Sequence, residues 1–202
     1  ALRDLGILEL VKSRRKDGIT KEEIAKELGL SVYGVKVLLE AGLSLELVRV
    51  VEDNYQLTKT GWYIISDELT RVNMDFTHDV NYLGMFSLSE SIKTGKPTGL
   101  KVFGDWDTVY EGLSQLPEQV QKSWFGFDHF YSDYAFPEIL PKVLSSSVRK
   151  VLDVGGNTGK FAMICSSYRS DIEVCILDHP GQLAKAYENA KNAGLEKQIS
   201  GV

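Results

Sequence analysis

The chain has 202 residues, of which 43% are hydrophobic and 25% charged, and a formal net charge of −5. This is the composition of a globular protein with one large or two small domains. Its apolar runs are too short for a membrane span, and its charge gives no general attraction to nucleic acid or anionic membranes. The only cysteines, Cys165 and Cys175, are interpreted as two buried reduced thiols of a cytoplasmic protein rather than a disulfide or metal pair.

Residues 1 to 60 are predicted to form three short helices and a β-hairpin. The first helix is indicated by apolar residues at helical spacing: Leu2, Leu5, Leu8 and Val11. The second begins at a capping box, in which Thr20 and Glu23 satisfy each other's backbone amides, and the third begins at Ser31. Two β-rich runs in ELVRVVEDNYQLT then predict a hairpin. Three helices followed by a hairpin make a winged helix-turn-helix domain.

The charges of this domain argue against a DNA-binding role. Residues 1 to 60 contain ten lysines or arginines and ten aspartates or glutamates. The third helix, in SVYGVKVLLEAGL, offers one lysine, one glutamate and a mostly apolar surface. DNA binding needs basic residues at the phosphates and polar side chains at the base edges. We therefore predict that this helix packs against another protein surface in a homodimer, and that nucleic acid is not a partner.

Residues 62 to 148 are predicted to be mainly helical, and part of this segment is rich in aromatic residues. Seven aromatic residues lie between positions 124 and 136, among them Tyr131 and Phe136. Two interpretations stay open for them. They either form core between two domains or provide a wall for a flat organic substrate or cofactor.

From residue 149 strands and helices alternate. KVLDVG and IEVCILD read as short buried strands, each followed by a helix, and KQISGV begins a third strand. This βαβαβ order is the first half of a doubly wound parallel sheet, so the fold class is α/β.

The glycine-rich loop in LDVGGNTGKF indicates what this sheet binds. It is not a P-loop, because Gly155 and Gly159 are one residue too close and Phe161 stands in place of the hydroxyl residue. It is not a dinucleotide fingerprint, because Asn157 occupies the position of the middle glycine. The acidic Asp153 lies two residues before the first glycine, which suits a ligand with a cationic group better than a pyrophosphate.

Asp178 ends the second strand, 25 residues after Asp153. At that place an acidic side chain can accept both hydroxyls of an adenosine ribose. S-adenosylmethionine fits this combination, since it is cationic at its amine and sulfonium, has a free ribose and carries no phosphate. Structural roles stay open for both residues: Asp178 as a capping acid before HPGQLAK, and Asp153 within the loop.

These stretches resemble motifs of the S-adenosylmethionine-dependent O-methyltransferases of the plant caffeate and acetylserotonin type and their bacterial relatives. LDVGGNTGKFA is similar to the family's first motif, with Asn157 where a glycine is usual. ILDHPGQL resembles the second, in which an aspartate followed by x-Pro binds the ribose. SIKTGKP and VYEGL resemble stretches of the linker, and the N-terminal winged helix matches the family's dimerisation domain.

The resemblance implies three segments and a cofactor site without metal. The segments are a winged-helix dimerisation domain at 1–90, a helical linker that lines the pocket at 91–148, and an incomplete Rossmann-like S-adenosylmethionine-binding domain at 149–202. The cofactor-binding residues that it implies are Asp153, Gly155, Gly156 and Asp178, with Tyr131 and Phe136 from the aromatic segment.

The implied activity is transfer of a methyl group from S-adenosylmethionine to a hydroxyl of a small aromatic molecule. The family's general base is a histidine that follows its third and fourth strands, so we expect this chain to be the N-terminal portion of a longer protein. His78, His129 and His179 do not occupy that position, and the catalytic residue is left unassigned. A winged-helix transcriptional regulator with a ligand-sensing domain and a non-catalytic family member remain the alternatives.

Overall fold

The computed structural model describes residues Ala1 to Val202. The chain forms two compact units, Ala1–Met74 and Asp75–Val202, and the boundaries predicted at residues 90 and 148 both fall in the second. None of the helices combines the length and the apolar character that crossing a membrane requires.

The first unit has the predicted order of three helices and a hairpin, followed by a fourth helix. Its elements are α1 (Ile7–Ser13), α2 (Lys21–Leu28), α3 (Val32–Ser44), β1 (Val48–Val51), β2 (Asn54–Leu57) and α4 (Lys59–Ser66). The capping box is confirmed. The Thr20 hydroxyl accepts from the Glu23 amide at 3.2 Å, and the Glu23 carboxylate accepts from the Thr20 amide at 3.0 Å. Ser31 caps α3 by accepting from the Gly34 amide at 3.0 Å.

The first helix is shorter than the apolar spacing predicts. α1 begins at Ile7, because Gly6 before it adopts a left-handed conformation with φ +77°, which glycine reaches without a Cβ penalty. Leu2 therefore lies before the helix and packs at the edge of the core, and Leu5 is exposed. The core of this unit is formed by Ile7, Leu8, Val11, Ile19, Ile24, Ala25, Val35, Leu39 and Val48.

Helices precede the sheet in the second unit. They are the last two residues of α5 (Glu68–Phe76), most of which belongs to the first unit, then α6 (Leu88–Thr94), α7 (Val109–Gly112) and the long α8 (Glu118–Val143). The aromatic segment lies on α8, and two of its rings pack against Phe76, with centroid distances of 5.5 Å to Trp124 and 4.4 Å to Phe127. Part of the aromatic segment is thus core of this unit.

The C-terminal part of the chain confirms the predicted βαβαβ order. Its elements are β3 (Lys150–Val154), α9 (Lys160–Tyr168), β4 (Glu173–Leu177), α10 (Pro180–Asn192) and β5 (Ile199–Gly201). The strands are parallel and lie in the order β3-β4-β5. Their carboxyl ends meet at one edge of the sheet, and β3 is an edge strand.

The two faces of this sheet differ. One face carries Val174 and Ile176, which are buried in a core that includes Cys165 of α9 and Ala186 of α10. Burial raises the pKa of the Cys165 thiol to about 11. Both cysteines are free, as predicted, but only Cys165 is buried, whereas Cys175 is half-buried. On the opposite face, apolar side chains are open to solvent: Leu152 is 59%, Val154 69% and Leu177 43% exposed.

Candidate active site

The glycine-rich loop connects β3 to α9 at the carboxyl edge of the sheet. Three of its residues have left-handed backbone conformations: φ is +74° at Gly155, +52° at Asn157 and +77° at Gly159. Glycine adopts this conformation freely, and asparagine is one of the few other residues that does so routinely. Asn157 can therefore occupy the position where the family resembled by this chain has a glycine.

Gly156 is required by space rather than by backbone conformation. A Cβ atom at this position would lie 2.7 Å from Asp153 Oδ2 and 2.9 Å from Ile176 Cγ2. The loop therefore passes directly over the end of β3 and the side chain of β4, and this close approach is possible only without a side chain.

Asp178, at the end of β4, holds the loop through its carboxylate. Oδ2 accepts from the Asn157 amide at 2.7 Å, and Oδ1 accepts from the His179 amide at 2.7 Å. The bond from Asn157 connects the residues that follow β3 and β4, whereas the bond from His179, the N-cap residue of α10, is local to the end of β4. Each carboxylate oxygen has capacity for a further donor.

Helix α8 contacts the same loop through two polar pairs. The Asn157 side-chain amide donates to Asp128 Oδ2 at 3.0 Å, and the Lys160 ammonium forms an ion pair with Asp133. His129, which lies between Asp128 and Asp133 on α8, has its Nε2 atom 3.3 Å from the Thr158 hydroxyl. The loop is thus fixed by β4 on one side and by α8 on the other.

A cavity of about 230 Å³ lies between α8 and the loop. One wall is a single face of α8, with residues at helical spacing: Asp128, His129, Ser132, Phe136 and Ile139. The opposite wall consists of Asp153, Gly155, Gly156, Asn157, Thr158, Lys160 and Phe161. The rings of Phe136 and Phe161 pack together with their centroids 4.9 Å apart, so the cavity is lined by aromatic rings as well as by the side chains of Asp128 and Asp153.

Two titratable groups of the cavity have shifted pKa values. Burial, and then the nearby Asp178 carboxylate, raise the pKa of Asp153 above its usual value. Asp153 Oδ2 is buried and has no hydrogen-bond partner. Burial, and then the Lys160 ammonium, lower the pKa of His129. The cavity therefore contains a carboxylate that a cationic donor would satisfy and a histidine that favours its neutral form.

The structure brings most of the predicted cofactor residues together. Four of them line the cavity: Asp153, Gly155, Gly156 and Phe136. Asp178 does not line it but accepts a hydrogen bond from the backbone amide of Asn157, which does. The Tyr131 ring instead packs on Phe127 and Phe130, with centroids 5.0 and 5.5 Å away. His179 lies at the start of α10, and the exposed His78 pairs with Asp79 at 2.6 Å.

Sequence reasoning missed the cavity residues Asp128, Ser132 and Ile139. The signal that could have found them is their spacing from Phe136. Ser132 and Asp128 precede it by four and eight residues and Ile139 follows it by three, and residues at these spacings share one face of a helix. Tyr131 lies one position before Ser132 and so falls on another face.

Comparisons with known proteins identify the proteins to which this chain is similar. The Dimerisation2-like domain family matches residues 2–55. The L-tyrosine C(3)-methyltransferase of Streptomyces lavendulae is 26% identical over 201 residues, which are 98% of this chain and 54% of that protein. The chain spans about half the length of this curated relative.

Two solved structures share the fold. The apo S-adenosylmethionine-dependent methyltransferase SibL is 26% identical with a TM-score of 0.64, and the match covers 98% of this chain and 59% of SibL. NcsB1, an O-methyltransferase from neocarzinostatin biosynthesis solved with S-adenosylmethionine and 2-hydroxy-5-methyl naphthoic acid, is 23% identical with a TM-score of 0.66. That match covers 91% of this chain and 57% of NcsB1. Over nearly its whole length the chain is therefore similar to S-adenosylmethionine-dependent methyltransferases, and its residues 2–55 match a Dimerisation2-like domain.

Proposed function

We propose that the protein binds S-adenosylmethionine in the cavity between α8 and the glycine-rich loop. The observation that carries this proposal is the buried Asp153 Oδ2, which lines the cavity without a hydrogen-bond partner. A buried carboxylate without a donor is costly, and a ligand ammonium would supply the missing charge-assisted hydrogen bond. Gly155 and Gly156 let the ligand approach the backbone, and Phe136 offers an apolar surface to its uncharged part.

Asp178 is the proposed partner of the ribose hydroxyls. Its carboxylate lies at the end of β4, next to the loop, and both oxygens keep lone pairs beyond the bonds to Asn157 and His179. An acidic side chain at this place in an open parallel sheet is the usual acceptor for an adenosine ribose. Tyr131 is kept as a proposed pocket residue on the resemblance alone.

When bound, S-adenosylmethionine supplies an activated methyl group on its sulfonium. The residues of this chain contribute binding and orientation, which is the larger part of catalysis when two reactants have only to be brought into line. Asp153 and Asp178 fix the two polar ends of the ligand. The hydrogen bonds that Asn157 donates to Asp128 and Asp178 keep the loop in place. We assign no catalytic base.

The proposed acceptor is a small aromatic molecule with a hydroxyl group, methylated on that hydroxyl. NcsB1 was solved with a hydroxylated naphthoic acid. The relative from Streptomyces lavendulae is named as a methyltransferase of carbon 3 of L-tyrosine. Both acceptors are aromatic, whereas the methylated atom differs between these relatives. We also propose a cytoplasmic location, in keeping with two free thiols.

A homodimer formed through the first unit completes the proposal. The family match over residues 2–55 is to a dimerisation domain, and α3 exposes Val32, Tyr33 and Val37. An apolar helix surface of this kind suits a protein contact better than a DNA groove. A winged-helix regulator would instead bind duplex DNA in a salt-sensitive manner.

Calorimetry of S-adenosylhomocysteine binding to wild type and Asp178→Ala tests the cofactor site. Loss of a charged acceptor should weaken binding by about 1.5–3 kcal/mol. Asp107→Ala, at an exposed position, is the matched control and should bind as the wild type does. Unchanged affinity of Asp178→Ala, or tight binding of NAD in place of S-adenosylhomocysteine, would overturn the assignment.

A further inference from the structure

A second cavity, of about 310 Å³, lies within the first unit. It is formed by the end of α1 and the turn that follows it, by the β1–β2 hairpin and by the start of α4. Its lining residues are Lys12, Arg15, Lys16, Arg49, Gln56, Leu57, Thr58, Lys59 and Trp62. We call this cavity the basic pocket.

The charge of the basic pocket departs from that of the domain around it. Residues 1 to 60 contain as many acidic as basic side chains, ten of each. Five of the ten basic side chains line the pocket, and none of the ten acidic ones does. The fold therefore collects positive charge at one place in a segment that is neutral as a whole, which focuses a positive potential in the cavity.

Two of these cations are held in position. Arg49 and Gln56 are partners across the hairpin, and the Arg49 guanidinium donates to Gln56 Oε1 through Nη2 at 3.0 Å and Nε at 3.3 Å. Gln56 is 8% exposed, and its amide nitrogen donates to the Lys16 carbonyl. The Lys12 ammonium donates to the Ser66 hydroxyl at 2.9 Å and lies 3.9 Å from Glu9.

The remaining cations of the pocket lack anionic partners. Arg15, Lys16 and Lys59 form no ion pair. Arg15 also has a left-handed backbone with φ +51°, a conformation that costs free energy for a residue with a side chain. Uncompensated like charges around one cavity repel each other, and an anionic ligand would remove that repulsion.

The basic pocket has one flat apolar wall. The Trp62 ring lines it and remains 45% exposed, and an exposed tryptophan ring is a stacking surface for a flat group. From the five cations and this ring we infer that the basic pocket binds a small molecule in which a phosphate or diphosphate is attached to a flat ring, a nucleoside diphosphate being the simplest example. The inference is independent of the proposed methyltransferase function.

Calorimetry with guanosine diphosphate, guanosine and pyrophosphate tests the inference in metal-free buffer. Saturating S-adenosylhomocysteine keeps the proposed cofactor cavity filled. We expect guanosine diphosphate to bind in the micromolar range, pyrophosphate to bind more weakly, and guanosine to show no binding. Binding should weaken as salt is added, because the charges lie near the surface.

Lys59→Gln should weaken binding of guanosine diphosphate about 5- to 10-fold through loss of one charged contact. Lys36→Gln removes a lysine that pairs with Glu40 on α3 at 3.7 Å, outside the pocket, and should change the affinity less than about 2-fold. Trp62→Leu should make the affinity for guanosine diphosphate equal to that for pyrophosphate.

The inference would be overturned by no binding of guanosine diphosphate at millimolar concentration, by equal binding of guanosine, or by an equal effect of Lys36→Gln and Lys59→Gln. Much tighter binding of a single-stranded oligonucleotide, lost in Lys59→Gln, would replace the small molecule by a nucleic acid and overturn it as well.

Discussion

The backbone amide of Asn157 donates to the carboxylate of Asp178 at 2.7 Å, so the residues that follow β3 and β4 hold each other. The proposed ribose acceptor is therefore also the anchor of the loop that lines the cofactor cavity. A change at either residue is expected to alter both the ligand contact and the shape of the loop, and variants must be chosen to separate the two.

Substitutions of Asn157 separate backbone conformation from side-chain bonding. Asn157→Ala keeps the Cβ on a left-handed residue but removes the polar group that eases this conformation, and should lower the free energy of unfolding by about 1–2 kcal/mol. Asn157→Gly loses the same bond to Asp128 but relieves the backbone, and should cost less than about 0.5 kcal/mol. Urea denaturation measures both values. Equal losses for the two variants would contradict the backbone explanation.

Asp153→Asn should stabilise the unliganded protein at neutral pH. The folded-state pKa of Asp153 is raised, so the unfolded chain releases this proton more readily, and the ionised carboxylate lowers stability. This loss grows as the pH rises from about 4, the ordinary aspartate value, through the raised pKa, and it is absent at lower pH. Urea denaturation at neutral pH and below pH 4 measures the difference between variant and wild type.

Asp107→Asn, at an exposed position outside the cavity, is the control for that experiment. A lower stability of Asp153→Asn than of wild type at neutral pH would show that the carboxylate makes a favourable contact when ionised, and the proposed role as acceptor for a ligand ammonium would lose its physical basis.

His129 should give a pH dependence of the opposite sign. Its folded-state pKa is lowered, so the unfolded chain takes up the proton first, and stability falls as the pH drops below about 6.5, the ordinary histidine value. His129→Gln keeps a polar group next to Thr158 and should flatten the stability curve below about pH 6.5. Ser132→Ala, on the same wall of the cavity, should retain the wild-type slope. A wild-type slope in His129→Gln would assign the dependence to another group.

Tyr33→Glu should dissociate the proposed homodimer. Tyr33 is 79% exposed on α3, and a carboxylate there would be buried without a partner if the helix lies in an interface. Light scattering coupled to size-exclusion chromatography should show a dimer for wild type and Lys36→Gln at micromolar concentration, and a monomer for Tyr33→Glu. An obligate interface of this kind buries at least about 2,000 Å². A monomeric wild type would rule the dimer out.

Local rules allowed the sequence to predict much of this fold. The capping box at Thr20 and Glu23, the hairpin and the βαβαβ order each depend on neighbouring residues, and the structure has all of them. The first helix was predicted too long, because the apolar spacing continues through Gly6 although the backbone there is left-handed. A periodic pattern reports which side of a segment is buried, and Leu2 is indeed packed, but it does not report where the helix starts.

Features that need several elements at once could not be predicted. Asn157 bonds to Asp128 on α8 and to Asp178 after β4, and nothing near it in the chain indicates either partner. The basic pocket is a second case. The net charge of residues 1 to 60 is zero, yet the fold brings Lys12, Arg49 and Lys59 to one cavity. Only their positions in space reveal this uneven distribution of positive charge.

The solvent-exposed apolar face of the parallel sheet has a practical consequence for experiments with these 202 residues. Leu152, Val154 and Leu177 lie on it, and the outer edge of β3 offers unpaired backbone groups beside it. An exposed edge strand can pair with the edge strands of further chains and so cause aggregation. A net charge of −5 provides only moderate electrostatic repulsion between the chains. Colloidal stability will therefore set the usable concentration. Growth of particles with time, as opposed to a constant mass, distinguishes this self-association from the closed dimer that we propose to form through α3.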